Sequence, residues 1–331
     1  MERNREKTIE RTRSLLQRAG FYVADTHAIR PTSFDLAGRR DATLLLVKVL
    51  KNIDALDSEE ADRLIELGRL FPAVGLVIGS TSGATDLEPG VVYMRYGVPI
   101  MTEETLQEYV EKALPPFLFS SPGGIFGRID GERLRRIREE QRLSLGALAS
   151  AAGVSRRTIQ LYEEGAGAEV AVIERLEEFL GEAIAQAIDL FTVPRPARSD
   201  AVASARARGS PPSGPPSATG DALRDGVVRQ LDGMGLEVVV TVRAPFDAFS
   251  RTPESDPQIL LTGVGSLRAA HHRAVVLHGL ARVSEGHAMF VVREASSRPS
   301  ILGLPILSVS ELKRHRDRDE LLEEITEREE S

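Results

Sequence analysis

The stretch ERLRRIREEQRLSLGALASAAGVSRRTIQLYEEG, residues 132–165, decides the fold of the middle of the chain. Its apolar residues recur at helical spacing, which predicts three short helices, over 132–141, 145–151 and 156–163. The segment Ala152-Gly153-Val154 separates the last two helices, and its glycine adopts a positive φ at no steric cost. Two short helices joined by a glycine-containing turn are typical of a helix-turn-helix.

The third of these helices is predicted to turn polar side chains outward, because Ile159 and Tyr162 point inward with Val154. Arg pairs with guanine O6 and N7, and Gln with adenine N6 and N7, in the major groove. We therefore predict base contacts from Arg156, Arg157 and Gln160. Contacts to the DNA backbone are expected from hydroxyl and basic side chains: Ser144, Ser155, Thr158, Arg133, Arg136 and Arg142. The alternative is a helical bundle whose arginines are merely solvated.

The same stretch is similar to the Cro/λ-repressor (XRE-like) class of helix-turn-helix domains over about forty residues. The matching positions are Leu148-Ala149, Gly153-Val154-Ser155, Thr158-Ile159 and Glu163 with Gly165. Leu145 departs from the pattern, because many members of the class carry a Gln there that bonds to the DNA backbone. The class usually has five helices, so two further helices are expected, over 169–180 and 182–191.

The composition limits what the chain can bind and where it works. Its 42 basic and 49 acidic residues give a net charge of -7, so any nucleic-acid surface must be a local patch. There is no cysteine, which excludes disulfides and thiolate metal sites. The charged N-terminus has no apolar signal segment, and no apolar run is long enough to cross a bilayer. We predict a soluble, cytoplasmic protein without membrane contact.

Two composition changes divide the chain. Residues 193–220 are rich in Pro, Gly, Ser and Ala and have no large apolar residue after Val202, which predicts a flexible linker. A weaker break, PPFLFSSPGG, lies at 115–124. These breaks predict an α/β domain over 1–118, a helix-turn-helix domain over 122–192 and a second α/β domain over 221–331.

The two outer domains have similar sequences in the same order. Corresponding positions are Gly20 and Gly235, Phe34-Asp35 and Phe246-Asp247, Leu45 and Leu260, and Gly97-Val98-Pro99-Ile100 and Gly303-Leu304-Pro305-Ile306. Each domain is predicted to form helix, strand, strand, helix, strand, strand and helix. We interpret the second as a repeat of the first, with two unrelated α/β domains as the alternative.

Asp35 and Lys48 have the spacing of the catalytic residues in the restriction-endonuclease fold, which the first domain resembles. That fold places a carboxylate two residues before the Lys to hold Mg²⁺, but Leu46 occupies the position here. The second domain retains Asp247, whereas Leu261-Thr262-Gly263 contains neither carboxylate nor Lys. We predict no catalytic residue, metal or cofactor, a turn or cap role for both aspartates, and a strand-end surface position or a DNA backbone contact for Lys48.

The whole chain resembles the archaeal family of Cro-type helix-turn-helix transcriptional regulatory proteins. In the first domain, the segment that carries this resemblance is FDLAGRRDATLLLVKVLKNID at 34–54. The predicted fold class is multi-domain α/β plus all-α: two restriction-endonuclease-like α/β domains flank a central five-helix helix-turn-helix domain. We predict a sequence-specific DNA-binding regulator, not an enzyme, that binds double-stranded DNA as a homodimer.

Two alternatives stay open. One is a Mg²⁺-dependent, structure-directed nuclease that the helix-turn-helix targets to DNA. The other is a bridging factor of the transcription machinery that uses the same helices to bind protein. The outer domains would serve oligomerisation, ligand sensing or extra DNA contacts, although nothing in the sequence supports a particular small-molecule effector.

Overall fold

The structure is a computed structural model that describes residues 2–26, 29, 32–191, 221–294, 296 and 298–329. The predicted linker, 193–220, lies outside the described residues. The chain forms two compact units. Unit 1 contains residues 1–49, 62–75 and 193–331, and unit 2 contains residues 50–61 and 76–192.

The N-terminal third alternates helices and strands, because short apolar runs alternate with amphipathic segments. Its elements are α1 (Glu2–Arg18), β1 (Tyr22–Asp25), β2 (Leu36–Arg40), β3 (Thr43–Asn52), a 3-10 turn (Ile53–Ala55), α2 (Ser58–Leu70), β4 (Val74–Ser82), β5 (Thr85–Asp86), β6 (Val91–Arg95), β7 (Val98–Met101) and α3 (Glu103–Lys112). Strand β3 is buried on consecutive positions from Leu44 to Val49, as expected for a strand covered on both faces.

The middle of the chain is mostly helical. Its elements are β8 (Leu118–Ser121), β9 (Gly124–Gly127), α4 (Gly131–Glu140), α5 (Leu145–Ala152), α6 (Arg156–Glu163), β10 (Ala168–Glu169) and α7 (Val170–Leu180). Strand β8 lies inside the Pro- and Gly-rich stretch 115–124, where Leu118 and Phe119 pair in parallel with Val91 and Val92 of β6.

The C-terminal part is again α/β. Its described elements, labelled onward from α7, are α8 (Ala222–Gly233), β11 (Glu237–Val240), β12 (Ala248–Arg251), β13 (Ile259–Gly265), α9 (Leu267–Ser284), β14 (His287–Val292), β15 (Ser300–Ile301), β16 (Leu304–Ser308), α10 (Val309–Leu312) and α11 (Arg318–Glu329). None of the described helices of the chain is long and apolar enough to span a membrane.

The strands follow a definite order within each unit. In unit 1, β1, β2 and β3 are antiparallel neighbours, and the C-terminal strands form a six-stranded mixed sheet in the order β11-β12-β13-β14-β16-β15. In unit 2 the order is β4-β7-β6-β8-β9-β10, with β5 paired to β4. The hairpin β8–β9 and strand β10 therefore extend the sheet directly to the helices α4 to α7.

The two α/β regions share local details within unit 1. Thr26 Oγ1 donates to Phe34 O at 2.8 Å, and Thr241 Oγ1 donates to Phe246 O at 2.7 Å. Asp35 N donates to Val47 O at 2.8 Å, and in the same way Asp247 N donates to Thr262 O at 2.8 Å. The backbone N–H groups of the two corresponding aspartates thus bond to the adjacent strand in the same way.

The predicted fifth helix over 182–191 is wrong, since these residues are not helical in the described chain. Gly181 ends α7 in the left-handed region with φ 68°. The backbone then runs extended, because Glu177 Oε1 accepts the N–H groups of Ile184 and Ala185 at 2.7 and 2.9 Å. Ala185 also bridges to Ile129 in antiparallel fashion, which holds this segment against the start of the domain.

Candidate nucleic-acid interface

The predicted helix-turn-helix is present as α5 and α6. Ser144 precedes α5, and its Oγ accepts Ala147 N at 3.1 Å. Gly153 ends α5 with φ 70° and donates to Ala149 O. Ser155 then precedes α6, and its Oγ accepts Thr158 N at 3.0 Å. Both caps and the turn are local in sequence, so the two helices are fixed relative to one another by a three-residue connection.

The inward faces of α4 to α7 form one apolar core. Leu148 and Ala149 of α5 and Ile159 and Tyr162 of α6 are buried in it, together with residues of the flanking helices: Leu134, Ile137, Val172, Ile173, Leu176 and Leu180. Arg175 of α7 closes the end of α5, because its Nε and Nη2 donate to Ala152 O at 3.0 and 2.8 Å. The core and this cap hold the orientation of α6 without using its polar face.

The outward face of α6 carries the predicted base-contacting residues. Arg156, Arg157 and Gln160 are all exposed. Arg157 Nη1 donates to Gln160 Oε1 at 3.3 Å and lies 3.8 Å from Glu164 Oε1. Exposed pairs of this kind contribute little to stability, so both side chains are free to exchange these partners for base edges.

Leu161 lies on the same face, one turn after Arg157, and 39% of its surface is exposed. Leu161 is not among the predicted contact residues, although its i+4 spacing from Arg157 places it on the outward face. An apolar side chain at this position suits contact with a thymine methyl group in the major groove.

Arg156 differs from Arg157 in its surroundings. Its guanidinium lies across Gly146 of α5, where an added Cβ would come within 3.1 Å of Arg156 Nε and 3.2 Å of Nη2. The structure thus places the two neighbouring arginines of α6 in two different environments.

The predicted backbone-contacting residues fall into two groups. Ser144, Ser155 and Thr158 lie at the starts of α5 and α6, where the hydroxyl oxygens of both serines accept backbone N–H groups. The hydroxyls of Ser155 and Thr158 also share a hydrogen bond of 2.8 Å, in which either can be the donor. The arginines are spread more widely. Arg136 and Arg142 are exposed, whereas Arg133 Nη2 lies 3.5 Å from Glu182 Oε2.

Arg138 of α4 has a role that the sequence analysis missed. Its Nε and Nη2 donate to the two carboxylate oxygens of Glu163 at 2.5 and 3.1 Å, and both side chains are largely buried. These hydrogen bonds raise the pKa of the Arg138 guanidinium above its usual value. The pair joins the end of α6 to α4, and the Glu of the E-x-G pattern was the only sign of it in the sequence.

The nuclease-like residues of the first domain are buried and paired. Asp35 is 1% exposed; its Oδ1 accepts Arg5 Nη2 at 2.6 Å and its Oδ2 accepts Val49 N at 2.8 Å. The prediction that Lys48 is a surface residue is wrong, because it lies within β3, is 6% exposed and donates from Nζ to Thr32 O at 2.9 Å. Leu46 is buried in the core.

Asp247 of the C-terminal α/β region is bonded in a similar way. Asp247 Oδ2 accepts Val264 N at 2.8 Å and Arg273 Nη1 at 2.6 Å. The arginine comes from α9 here and from α1 in the first domain. Among the described residues, no group of three or more His, Asp or Glu side chains is arranged to hold a metal ion.

Comparison with known proteins agrees with both parts of this description. Residues 5–115 match the PD-(D/E)XK superfamily domain, and residues 131–187 match a helix-turn-helix domain. No solved structure matches the chain.

Full-length relatives come from several archaea. A protein of Halorubrum lacusprofundi named "Putative HTH-type transcriptional regulatory protein" is 35% identical over 326 residues, which are 98% of each chain. Relatives of the same name from Methanocella arvoryzae and Methanosarcina acetivorans are 37% and 35% identical over 327 and 328 residues, covering 98% of this chain and 97% of their own. The chain therefore belongs to this archaeal family of HTH-type transcriptional regulatory proteins.

Proposed function

We propose that the protein is a sequence-specific DNA-binding transcriptional regulator. The observation that carries this proposal is the outward face of α6, on which Arg156, Arg157 and Gln160 are exposed while Ile159 and Tyr162 anchor the helix in the core. An α-helix fits the major groove, and there the N-terminal residues of a recognition helix meet base edges. Arg157 and Gln160, side by side on this face, are the base-reading pair.

The remaining contacts position the protein on the duplex. Ser144, Ser155 and Thr158 donate hydroxyl protons to phosphate oxygens, and Arg133, Arg136 and Arg142 supply positive charge to the phosphate backbone. Because the chain carries a net charge of -7, this local patch supplies the affinity that depends on release of counterions.

The architecture that serves this function is a central helix-turn-helix domain, 122–192, between α/β domains at 1–118 and 221–331, with 193–220 as linker. The second α/β domain is a repeat of the first, which the shared Thr–Phe and Asp–strand hydrogen bonds support. The protein works in the cytoplasm as a homodimer, since helix-turn-helix units bind pairs of half-sites about 34 Å apart. Light scattering of the free protein at micromolar concentration gives twice the chain mass if this is so, and the monomer mass otherwise.

We also propose that the PD-(D/E)XK-like domain does not cleave DNA. The guanidinium of Arg5 already neutralises Asp35, and Leu46 offers no oxygen to a hard cation. Plasmid, branched and single-stranded DNA incubated with the protein and Mg²⁺ or Mn²⁺ stay intact on this account. Cleavage that Asp35→Asn removes would establish the nuclease instead.

The test of base reading is selection of binding sites from a randomised duplex library, followed by affinity measurements at a fixed salt concentration. The wild-type chain is expected to enrich one motif and to bind it at least a hundredfold more tightly than a scrambled duplex, which is about 3 kcal/mol. The double variant Arg157→Ala with Gln160→Ala should lose this preference.

The matched control removes the same two residue types elsewhere, at Arg229 and Gln230 of α8. Arg229→Ala with Gln230→Ala keeps the preference for the selected motif. A wild-type chain that enriches no motif, or a double variant in α6 that enriches the same one, would overturn the proposal. Capture of a protein ligand by α6 without salt-dependent DNA binding would favour the bridging factor.

A further inference from the structure

Gly146 is a helix residue without an obvious reason to be glycine. It lies in the first turn of α5, an eight-residue helix, and is not among the glycines with positive φ. Glycine in such a position destabilises a helix relative to alanine. The space that its missing side chain leaves therefore requires an explanation.

That space is filled by Arg156 of α6. A Cβ placed on Gly146 would lie 3.1 Å from Arg156 Nε, 3.2 Å from Nη2 and 3.4 Å from Cζ. These three atoms belong to one guanidinium, so this group lies against α5 at Gly146. Glycine permits this close approach, because a Cβ at 3.1 Å from Nε would require the guanidinium to shift by a few tenths of an ångström.

This position separates Arg156 from the base-reading pair. In a helix-turn-helix the first helix crosses the DNA backbone while the second enters the major groove. A guanidinium that rests on α5 lies on the side of the phosphates, whereas Arg157 extends from the outward face of α6 beside Gln160.

We propose that Arg156 contacts a backbone phosphate rather than a base, and that Gly146 is the positioning residue that seats its guanidinium. This inference rests on the proposed DNA-binding function and assigns Arg156 a different role from the base contact that the sequence predicts. Phosphate contacts set the register of a protein on DNA but carry no sequence information themselves. Sequence preference therefore depends on Arg157 and Gln160.

A double-mutant cycle in the full-length chain tests the assignment. The variants are Arg156→Ala, Gly146→Ala and their combination, with binding measured over a range of salt concentrations to the library-selected duplex and to a scrambled one. Arg156→Ala should weaken binding to both duplexes by about the same factor, roughly tenfold, and lower the salt slope by about one. Gly146→Ala alone should weaken binding to both duplexes at least threefold. The combined variant should bind no more weakly than Arg156→Ala alone.

Two controls separate the possible causes. Arg157→Ala, which removes the same side chain one position later, should weaken binding to the selected duplex much more than to the scrambled one. Ser150→Ala, at an exposed position of α5, should bind like the wild type. Helicity by circular dichroism verifies that Gly146→Ala is folded, and alanine favours the helix.

Three results would overturn the inference: a Gly146→Ala chain that binds like the wild type, additive losses in the combination, or an Arg156→Ala loss confined to the selected duplex. A wild-type chain that binds DNA without distinguishing the two duplexes would instead refute the proposed function.

Discussion

Helix α6 and the nuclease-like residues of the first domain both carry charged side chains at motif spacing, but the surroundings of these side chains are opposite. On α6, Arg157 is exposed and contacts Gln160 and Glu164, both also exposed. In the first domain, Asp35 and Lys48 are buried, and their charged groups are bonded to protein groups within unit 1. The motifs alone did not distinguish these situations.

The difference follows from the cost of removing charge from water. A buried carboxylate must be compensated by hydrogen bonds and an opposite charge, and Asp35 obtains both from Val49 N and Arg5. Once compensated, it has a structural role and little capacity left for a cation. An exposed guanidinium keeps its donors available, because water and weak partners are easily exchanged. Exposure therefore separates the residues that we propose bind DNA from those that hold a sheet together.

Removal of the Asp35 carboxylate should have the largest effect on stability. Asp35→Ala leaves the Arg5 guanidinium and Val49 N without their acceptor, which should destabilise unit 1 by about 3 kcal/mol. Hydrogen exchange of the β2 and β3 amides measures this loss. The exposed Asp62→Ala should change it by less than about 0.5 kcal/mol.

Asp35→Ala also tests whether Asp35 takes part in reading DNA. If the charged residues of the first domain do not read DNA, folded Asp35→Ala protein keeps the wild-type preference between selected and scrambled duplexes. Loss of that preference at a temperature where the variant is folded would assign Asp35 to the DNA-binding surface.

The pair between Arg138 and Glu163 offers a second, smaller test, because it is a buried ion pair inside the helix-turn-helix domain. Glu163→Gln removes the charge that both guanidinium bonds use and should destabilise α4 and α6 by about 2 kcal/mol. Amide exchange in these helices measures the change. Glu164→Gln, at the adjacent exposed position, should leave exchange unaltered; equal effects of the two variants would contradict a special role for the buried pair.

The sequence predicted those features that depend on neighbouring residues. The bounds of α6 and the turn at Gly153 follow from local patterns, and the structure has them. The features that it did not predict depend on residues far apart in the chain. Burial of Lys48 requires the carbonyl of Thr32, and the extended segment after α7 is held by Glu177.

In the candidate site, too, the features set by neighbouring residues were predictable and those set by distant residues were not. Exposure of Arg157 and Gln160 follows from helical periodicity, since the apolar residues of α6 define its inward face. The seat of Arg156 on Gly146 requires the packing of α5 against α6, which no pattern within either helix contains.

Tyr109 of α3 is intermediate between the exposed Arg157 and the buried Asp35, because it is partly buried and its hydroxyl is hydrogen-bonded. It donates to Asp189 Oδ1 at 2.9 Å, and its ring stacks on Phe191 with centroids 4.2 Å apart. Burial, and then the bond to Asp189, raise the pKa of Tyr109 from 10.0 to about 12. The folded protein thus favours the neutral phenol. The resulting stabilisation is complete below pH 10 and is lost as the pH rises through about 12.

An alkaline titration followed by tyrosinate absorbance measures this smallest effect. The wild type should show a step near pH 12 whose amplitude falls in Tyr109→Phe. An unchanged step would mean that the Tyr109 phenol titrates like an exposed one, and that the segment ending at Phe191 is not held by this contact.

Methylation footprinting tests the central claim, that the outward face of α6 lies in the major groove, most directly. Dimethyl sulfate modifies guanine N7 in the major groove and adenine N3 in the minor groove, so one experiment reports on both. We predict that the wild-type chain protects one or more guanine N7 atoms in its selected site and that Arg157→Ala loses this protection while still binding the duplex at low salt. Protection confined to adenine N3, or guanine protection that is the same in Arg157→Ala, would contradict the account.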